Sequence, residues 1–229
     1  FHGVSDADAP IVRRSLVERS GILREAKPGH LDFLHNTFKE FLAAEKFATE
    51  NDVDCLCCHA LEASWQPVLL FSVATRRADY ANSLITRILD NSSYCEHMVD
   101  GKLQHINSEQ KSLLFLALRC GAMALQINRG LQGRLDQVLQ NVFPPTTLGD
   151  AETLAALGDA AVPHLQYRKG NSVNKTIASI HALSLIGTRK ARAKLRGFCG
   201  DKRETVYTEL SRALNPLEIT AVVEILRGG

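Results

Sequence analysis

Side chains that can bind a metal or act as nucleophiles lie close together in the segment Cys55-Leu-Cys57-Cys58-His59. Thiolates and imidazoles are zinc ligands, and a cysteine beside a histidine can attack a substrate. A closed zinc site needs four ligands, usually in two separated pairs, and the sequence has no second closely spaced cysteine pair. With eight histidines in the chain, a cysteine–histidine neighbour is expected by chance. We therefore predict buried helical thiols here, with neither a metal nor catalysis.

A second chemically active segment is Thr188-Arg-Lys-Ala-Arg-Ala-Lys-Leu-Arg196, which carries five positive charges in nine residues. On a helix Arg189, Arg192 and Arg196 share one face, and Lys190 and Lys194 lie beside them. Such a basic ridge could contact phosphates or an acidic protein, but without interleaved aromatic residues it does not indicate base stacking. The alternative is a solvated outer helix.

Composition sets the class of protein. The chain has 229 residues, of which 45% are apolar and 23% charged, as in ordinary globular proteins. A formal net charge of +2 is too small to make nucleic acid or a membrane the default partner. The longest apolar stretches, 67–74 and 113–118, are shorter than the roughly 20 residues of a membrane-spanning helix.

The cysteine spacing and the start of the chain lead to expectations about the compartment of the protein and about its parent. Six cysteines show no spacing typical of a disulfide framework, which favours a reducing, cytoplasmic setting. The chain begins at Phe1 and shows no secretory signal, so we expect it to be a piece of a longer cytoplasmic protein.

The first 50 residues predict a helix, a β-hairpin and a second helix. Pro10 favours the first turn of a helix that ends at Gly21. Residues 22–25 and 31–34 read as strands joined by the turn Lys27-Pro-Gly29. Thr37 and Glu40 have the spacing of a capping box, so we expect the second helix to begin near residue 37.

Apolar side chains recur at helical spacing along that second helix. Leu34, Phe38, Phe41 and Leu42 fall on adjacent turns together with Glu45, and we predict that three of the aromatic and aliphatic side chains form a buried stripe. His35 lies at the beginning of this stripe, directly after Leu34, where the strand ends and the helix begins. Unsatisfied N–H groups and the positive end of a helix dipole favour an anion there. The alternative is that His35 only packs against or caps the hairpin.

The second half of the chain is predicted to form stacked helices. Helical segments are expected at 108–127, 131–142, 152–156, 160–167, 177–187, 191–198 and 206–214. Aligning Ala182-Leu183 with Ala213-Leu214 gives a period of 31 residues, and residues 201–206 resemble the turn of a HEAT repeat. Asn215 is expected to cap one more helix. The predicted fold is mainly α, with a generic helical bundle as the alternative to a HEAT-like solenoid.

The segment 33–44 resembles the end of the winged-helix region in NACHT-type STAND NTPases, signalling ATPases that include animal NOD-like receptors and bacterial antiphage proteins. The family form is roughly Phe-x-His-x-Thr-Phe-Gln-Glu-(Phe/Tyr)-x-Ala-Ala. It matches Phe33, His35, Thr37, Phe38, Glu40, Phe41, Ala43 and Ala44, whereas Lys39 replaces the usual glutamine. Leu16 to Leu23 and the tryptophan-led segment 65–71 also resemble the family, so the resemblance covers roughly residues 12–75.

The resemblance and the helical repeat pattern together predict three regions: 1–50 as the C-terminal part of a winged-helix domain, 51–147 as a helical linker or bundle, and 148–229 as HEAT-like repeats. By the same resemblance His35 is a nucleotide sensor that approaches the β-phosphate of ADP and holds a closed, inactive state. The implied partners are the parent's own NTPase domain, a protein trigger bound by the helical array, and further copies of the parent upon activation.

The chain lacks the motifs of ATP hydrolysis. It contains neither a Gly-x-x-x-x-Gly-Lys-(Ser/Thr) loop nor a strand that ends in paired acids for Mg²⁺. We therefore expect no catalysis and no cofactor in this segment, and expect ADP or ATP with Mg²⁺ to bind elsewhere in the parent. The alternative function is a HEAT-like protein-binding scaffold without nucleotide, and nucleic-acid binding ranks third.

Overall fold

The computed structural model describes residues 9–74, 77–95, 98–99, 102–103 and 106–215. The architecture is mainly α-helical, with eleven α-helices and two small antiparallel hairpins within these ranges. None of the helices in this part of the chain combines the length and the apolar character needed to cross a membrane.

The N-terminal unit is a helix, a hairpin and a helix, as predicted. It comprises α1 (Ala9–Glu18), β1 (Leu23–Lys27), β2 (His30–Phe33) and α2 (Asn36–Glu50). The strands are antiparallel, with Leu23 opposite Phe33. Arg13 of α1 contacts Glu25 of β1 at 2.8 Å, and the backbone N–H of Gly29 donates to the same carboxylate at 2.6 Å. The Gly29 hydrogen bond and the Arg13 charge both lower the pKa of Glu25.

The middle of the chain is a helical layer around α4. It contains α3 (Val53–Cys58), a 3-10 turn (Ala63–Trp65), α4 (Gln66–Val73), α5 (Ala78–Asn91), the hairpin β3 (Met98–Val99) and β4 (Lys102–Leu103), α6 (Ser108–Met123) and α7 (Arg129–Val142). Helix α4 packs against α2, α5 and α6. The sequence predicts α6 to Ile127, but it ends at Met123, because Asn128 already caps α7 by accepting from the Leu131 N–H at 2.8 Å.

The C-terminal part is built around one central helix. It contains α8 (Leu148–Ala155), 3-10 turns (Gly158–Ala160 and Val162–His164), α9 (Val173–Ile186), α10 (Arg189–Leu195), a 3-10 turn (Arg196–Phe198) and α11 (Glu204–Leu214). Helix α9 packs against α8, α10 and α11. The two helices that carry the 31-residue alignment, α9 and α11, therefore lie side by side.

Two details of the predicted C-terminal helices differ from the structure. The helix expected at 160–167 is wrong, because 3-10 turns occupy this region and Pro163 removes a backbone donor from the second turn. The helix expected at 152–156 begins earlier, at Leu148, where the Thr147 hydroxyl accepts from the Asp150 N–H. The helix expected after Asn215 lies outside the described residues.

A guanidinium group connects the start of α9 to the start of α11. Arg203 binds Asp201 in a bidentate ion pair, donates to the Asn171 carbonyl at 2.9 Å, and donates to the Thr176 hydroxyl at 3.0 Å. The Asp201 carboxylate is buried, and its hydrogen bond from Arg203 lowers its pKa. This network fixes the relative position of two helices that are also connected by His181 Nδ1 and Glu209 Oε1, 3.3 Å apart.

The buried apolar residues form one cluster that extends from Ala44 to Ala213. The cluster crosses positions 50/51 and 147/148, where the sequence places domain boundaries. A partly buried ion pair also spans the second position, since Lys111 of α6 lies 2.5 Å from the buried Asp150 of α8. The division into three domains stays a prediction, and the described core is continuous.

The Asp150 ion pair predicts a pH-dependent contribution to stability. Burial opposes ionisation of Asp150, but the hydrogen bonds from Lys111 and the Thr146 hydroxyl outweigh it, so its pKa is lowered. A carboxyl group with a lowered folded-state pKa stabilises the fold above its unfolded pKa, and this stabilisation is lost as the pH falls through the folded value. We expect Asp150→Asn to lower the free energy of unfolding by about 1–2 kcal/mol at pH 7.

Urea unfolding from pH 7 down to pH 3 measures this effect. The difference between wild type and variant should shrink below pH ~4, the ordinary value for aspartate. Asp136→Asn is the matched control, because Asp136 is exposed and, among the described residues, accepts only from Gln132. Equal losses in the two variants, or a difference that does not change with pH, would contradict the assignment.

Candidate functional site

Exposed apolar side chains are concentrated in the N-terminal unit. Of fourteen large hydrophobic residues exposed among the described residues, eight lie between positions 11 and 42. We call them the N-terminal apolar surface: Ile11, Val12, Leu16, Leu31, Leu34, Phe38, Phe41 and Leu42. Concentrated apolar exposure of this kind marks a contact site for another protein surface or ligand.

The predicted burial of the aromatic stripe on α2 is wrong. Phe38 is 41% exposed and Phe41 46%, and Leu34 and Leu42 are exposed as well. The buried residues of α2 are Ala44 and Ala48, which face α4. Small side chains let two helices approach closely, and the Ser72 hydroxyl of α4 reaches the Ala44 carbonyl at 3.5 Å. The helix therefore buries its alanine face and exposes its phenylalanine face.

Aromatic contacts limit the exposure of two α2 side chains. Phe41 meets Phe71 of α4 edge to face, with ring centroids 6.1 Å apart, and Phe47 meets Trp65 in the same way at 6.0 Å. Phe33, at the end of β2, is half-buried. The tryptophan-led segment 65–71 therefore packs against α2 through Trp65 and Phe71. Phe38 has no aromatic partner among the described residues.

His35 lies at the N-terminus of α2. It is the N-cap residue, with extended backbone angles, and its side chain makes no capping hydrogen bond. The predicted Thr37–Glu40 capping box is wrong, because the helix begins one residue earlier at Asn36 and Thr37 lies inside its first turn. The His35 carbonyl instead accepts from the Phe38 N–H at 3.2 Å.

The electrostatic surroundings of His35 favour an anion. Helix α2 has 15 residues and no acidic side chain in its first turn. The first N–H groups of a helix have no intrahelical acceptor, and its dipole places partial positive charge there. The His35 side chain is exposed and hydrogen-bonds no described residue, so an external acceptor can reach both the imidazole and these N–H groups.

A groove follows the opposite end of α2. It has a volume of about 420 Å³ and lies between Phe41, Glu45, Phe71 and Arg77. The Arg77 guanidinium donates to the carbonyls of Ala48 at 2.7 Å and Thr49 at 3.3 Å, which satisfies the last turn of α2. The sequence predicts only a loop at Arg76-Arg77. Arg76 lies outside the described residues, and Arg77 connects α2 to the start of α5.

The cysteine segment forms helix α3, but the prediction of buried thiols holds for only one of its three cysteines. Cys57 is buried, and burial raises its pKa to about 11. The Asn91 amide donates to its sulfur at 3.3 Å. Cys55 and Cys58 are exposed. No group of three or more potential metal ligands occurs in the described ranges of the chain.

His59, at the end of α3, does not face these cysteines as a catalytic partner would. Its ring stacks on Trp65 with centroids 4.0 Å apart, and its Nδ1 lies 2.7 Å from Glu62. Both contacts are local and position the turn between α3 and α4.

The basic ridge lies on α10 and is exposed along its length. Arg189, Lys190, Arg192 and Lys194 belong to α10, and Arg196 begins the 3-10 turn that continues it. Lys190 pairs with Asp159 at 3.2 Å. The other four cations form no ion pair with any residue that the structure describes.

The exposure of Phe38 predicts a small effect on stability. We expect Phe38→Ala to change the free energy of unfolding by less than about 1 kcal/mol, because the ring contributes little to the core. Phe198→Ala is the matched control, since Phe198 is 1% exposed and its truncation should cost about 3–5 kcal/mol. Urea unfolding of both variants compares the two sites. Equal costs would mean that the aromatic stripe of α2 is buried after all.

The described chain thus presents two chemically different surfaces: an apolar one around α1 and α2, with His35 at its edge, and a basic one on α10. Comparisons of this chain with protein-family models, with curated proteins and with solved structures found no match.

Proposed function

We propose that this chain is a regulatory and ligand-sensing segment of a NACHT-type STAND ATPase. Residues 9–50 would complete a winged-helix domain, His35 would sense the nucleotide of the parent's NTPase domain, and the helical region would bind a trigger. The observation that carries the proposal is the exposed His35 at the open N-terminus of α2, beside the N-terminal apolar surface.

The order of the first elements supports the winged-helix assignment. A helix, a two-stranded hairpin and a long helix follow one another, with the histidine of the family motif at the strand–helix junction. Phe38 and Phe41 of that motif face outward. In a complete winged-helix domain docked on an NTPase domain, these rings would be covered.

The chemistry of His35 suits a phosphate. An imidazole N–H and the first N–H groups of α2 could donate to the β-phosphate oxygens of ADP, and the helix dipole would favour the negative charge. The contact stabilises the closed state. A ligand that binds the open state more tightly shifts the equilibrium towards opening, after which copies of the parent oligomerise. ADP or ATP with Mg²⁺ binds elsewhere in the parent.

The side-by-side packing of α9 and α11 supports a HEAT-like array. The 31-residue period aligns Ala182-Leu183 of α9 with Ala213-Leu214 of α11. The Arg203 network connects the starts of these two helices. Stacked helix pairs of this kind form extended surfaces that bind protein ligands.

The second candidate is a HEAT-like scaffold that binds a protein and no nucleotide. The continuous core from Ala44 to Ala213 favours it, because that core needs no further domain to bury its apolar residues. This function leaves the exposure of His35 and of the α2 phenylalanines without a role.

ADP titration by calorimetry distinguishes the two functions. The complete protein that contains this chain is compared with its His35→Ala variant. We expect the variant to bind ADP about tenfold more weakly, a loss of about 1.4 kcal/mol, and to show higher basal activity. His30→Ala is the matched control, because His30 is an exposed hairpin histidine whose Nδ1 contacts the Pro28 carbonyl.

If the complete protein binds no ADP, the scaffold function replaces the proposal. If His35→Ala binds ADP as tightly as wild type, His35 is a structural residue. Equal weakening in His30→Ala and His35→Ala would indicate a general disturbance of the hairpin.

A further inference from the structure

Charge is distributed unevenly along the chain. Residues 148–215 contain eleven Lys and Arg against six Asp and Glu, a net charge of +5, whereas the rest of the chain has a net charge of −3. The small overall charge of +2 is therefore the sum of a basic segment at 148–215 and an acidic rest of the chain. An asymmetry of this kind is typical of chains that bind a polyanion with one end.

Helix α10 concentrates this charge on the surface. Its four cations and Arg196, which directly follows it, are exposed, and the residues between them are Ala191, Ala193 and Leu195. Arg189, Arg192 and Arg196 share one face and span about 10 Å along the axis, which is the axial length of about three nucleotides of one DNA strand. Only Lys190 has a carboxylate partner among the described residues.

A second element extends the basic surface. The segment that carries Arg168 and Lys169 is held against the end of α10, because the Tyr167 ring meets the Phe198 ring edge to face at 5.6 Å. Tyr167 also lies next to Gly197, with its Cβ 3.6 Å from the position that a Gly197 Cβ would occupy. Arg168 and Lys169 are exposed. We call these two residues and the five cations of the basic ridge, Arg189, Lys190, Arg192, Lys194 and Arg196, the C-terminal basic surface.

Two of the five charges do not serve helix stability. Arg189 and Lys190 lie in the first turn, where the helix dipole disfavours cations, and that turn contains no acidic residue. Arg192 and Lys194 lie in the last turn and Arg196 is the C-cap, at the end that favours positive charge. Residues placed against local stability are those expected at functional positions.

We propose that the C-terminal basic surface binds the phosphate backbone of double-stranded nucleic acid without reading its sequence. Arginine forks suit phosphate oxygens, and phosphate contacts supply most sequence-independent affinity. The surface offers no exposed aromatic side chain for stacking, so single strands gain nothing there. The inference goes beyond the proposed function, because it requires neither His35 nor an ATPase domain.

The same composition disfavours the other anionic partners. A protein interface needs an apolar or aromatic centre, and the exposed uncharged residues of the segment 189–197 are only Ala193 and Gly197. A membrane-surface helix needs large apolar side chains on the face opposite its charges, and the opposite face of α10 is buried against α9.

Fluorescence anisotropy with a labelled 20-base-pair DNA duplex tests the proposal. The complete chain is titrated at several salt concentrations. A triple variant, Arg189→Gln, Arg192→Gln and Arg196→Gln, should bind at least tenfold more weakly at low salt. Its slope of log affinity against log salt should be smaller by about 2.7, because each phosphate contact contributes about 0.9.

A matched triple variant controls for total charge. Arg19→Gln, Lys39→Gln and Arg129→Gln remove three exposed cations that have no ion pair among the described residues. We expect this control to bind like wild type. Circular dichroism of both variants verifies that the helical fold is retained.

Three results would overturn the proposal. Wild type could fail to bind the duplex at 50 mM salt, or both triple variants could lose affinity equally, which would indicate only a net-charge effect. Poly-glutamate could also compete as well as unlabelled duplex at equal charge, which would identify the surface as one for acidic proteins.

Discussion

The contact between the alanine face of α2 and α4 determines how the N-terminal unit is arranged relative to the helices that follow it. Ala44 and Ala48 allow the backbones to approach, and the Ser72 hydroxyl bonds the Ala44 carbonyl across the contact. A helix can present only one face to such a neighbour, so burial of the alanines places Phe38 and Leu42 in solvent. The part of the N-terminal apolar surface that lies on α2 is a direct consequence of this choice of face.

The sequence predicts the first hairpin and most helices of the second half, but not α5, the hairpin β3–β4 or the face that α2 buries. Strand alternation and the Lys27-Pro-Gly29 turn place the first hairpin correctly, and helical periodicity places α6, α7, α9 and α11 within a few residues. Helix α2 has two apolar stripes, one aromatic and one of alanines. Hydrophobicity alone favours burial of the aromatic stripe, but close packing of two helices depends on small residues. The surface that α4 offers to α2 is set by the folded structure and cannot be read from the α2 sequence.

The candidate sites were predictable to different degrees. Charge spacing alone identifies the basic ridge, because exposed cations need no partner to take their positions. The state of the cysteines depends on which side of α3 meets α5, so adjacent Cys57 and Cys58 differ in burial. Contacts such as Arg77 with Ala48, or Arg203 with Asn171, join residues about 30 positions apart and leave no local signal.

The start of the buried core at Ala44 has a mechanical consequence. No described residue before Ala44 is buried, and Arg13 and Glu25 connect α1 to the hairpin rather than to the helical layers. The residues before Ala44, which are α1, the hairpin and the first half of α2, therefore add little to the buried core. The second half of α2 is held on α4 by Ala44 and Ala48, so α1 and the hairpin can exchange one neighbouring surface for another without unpacking the helices that follow.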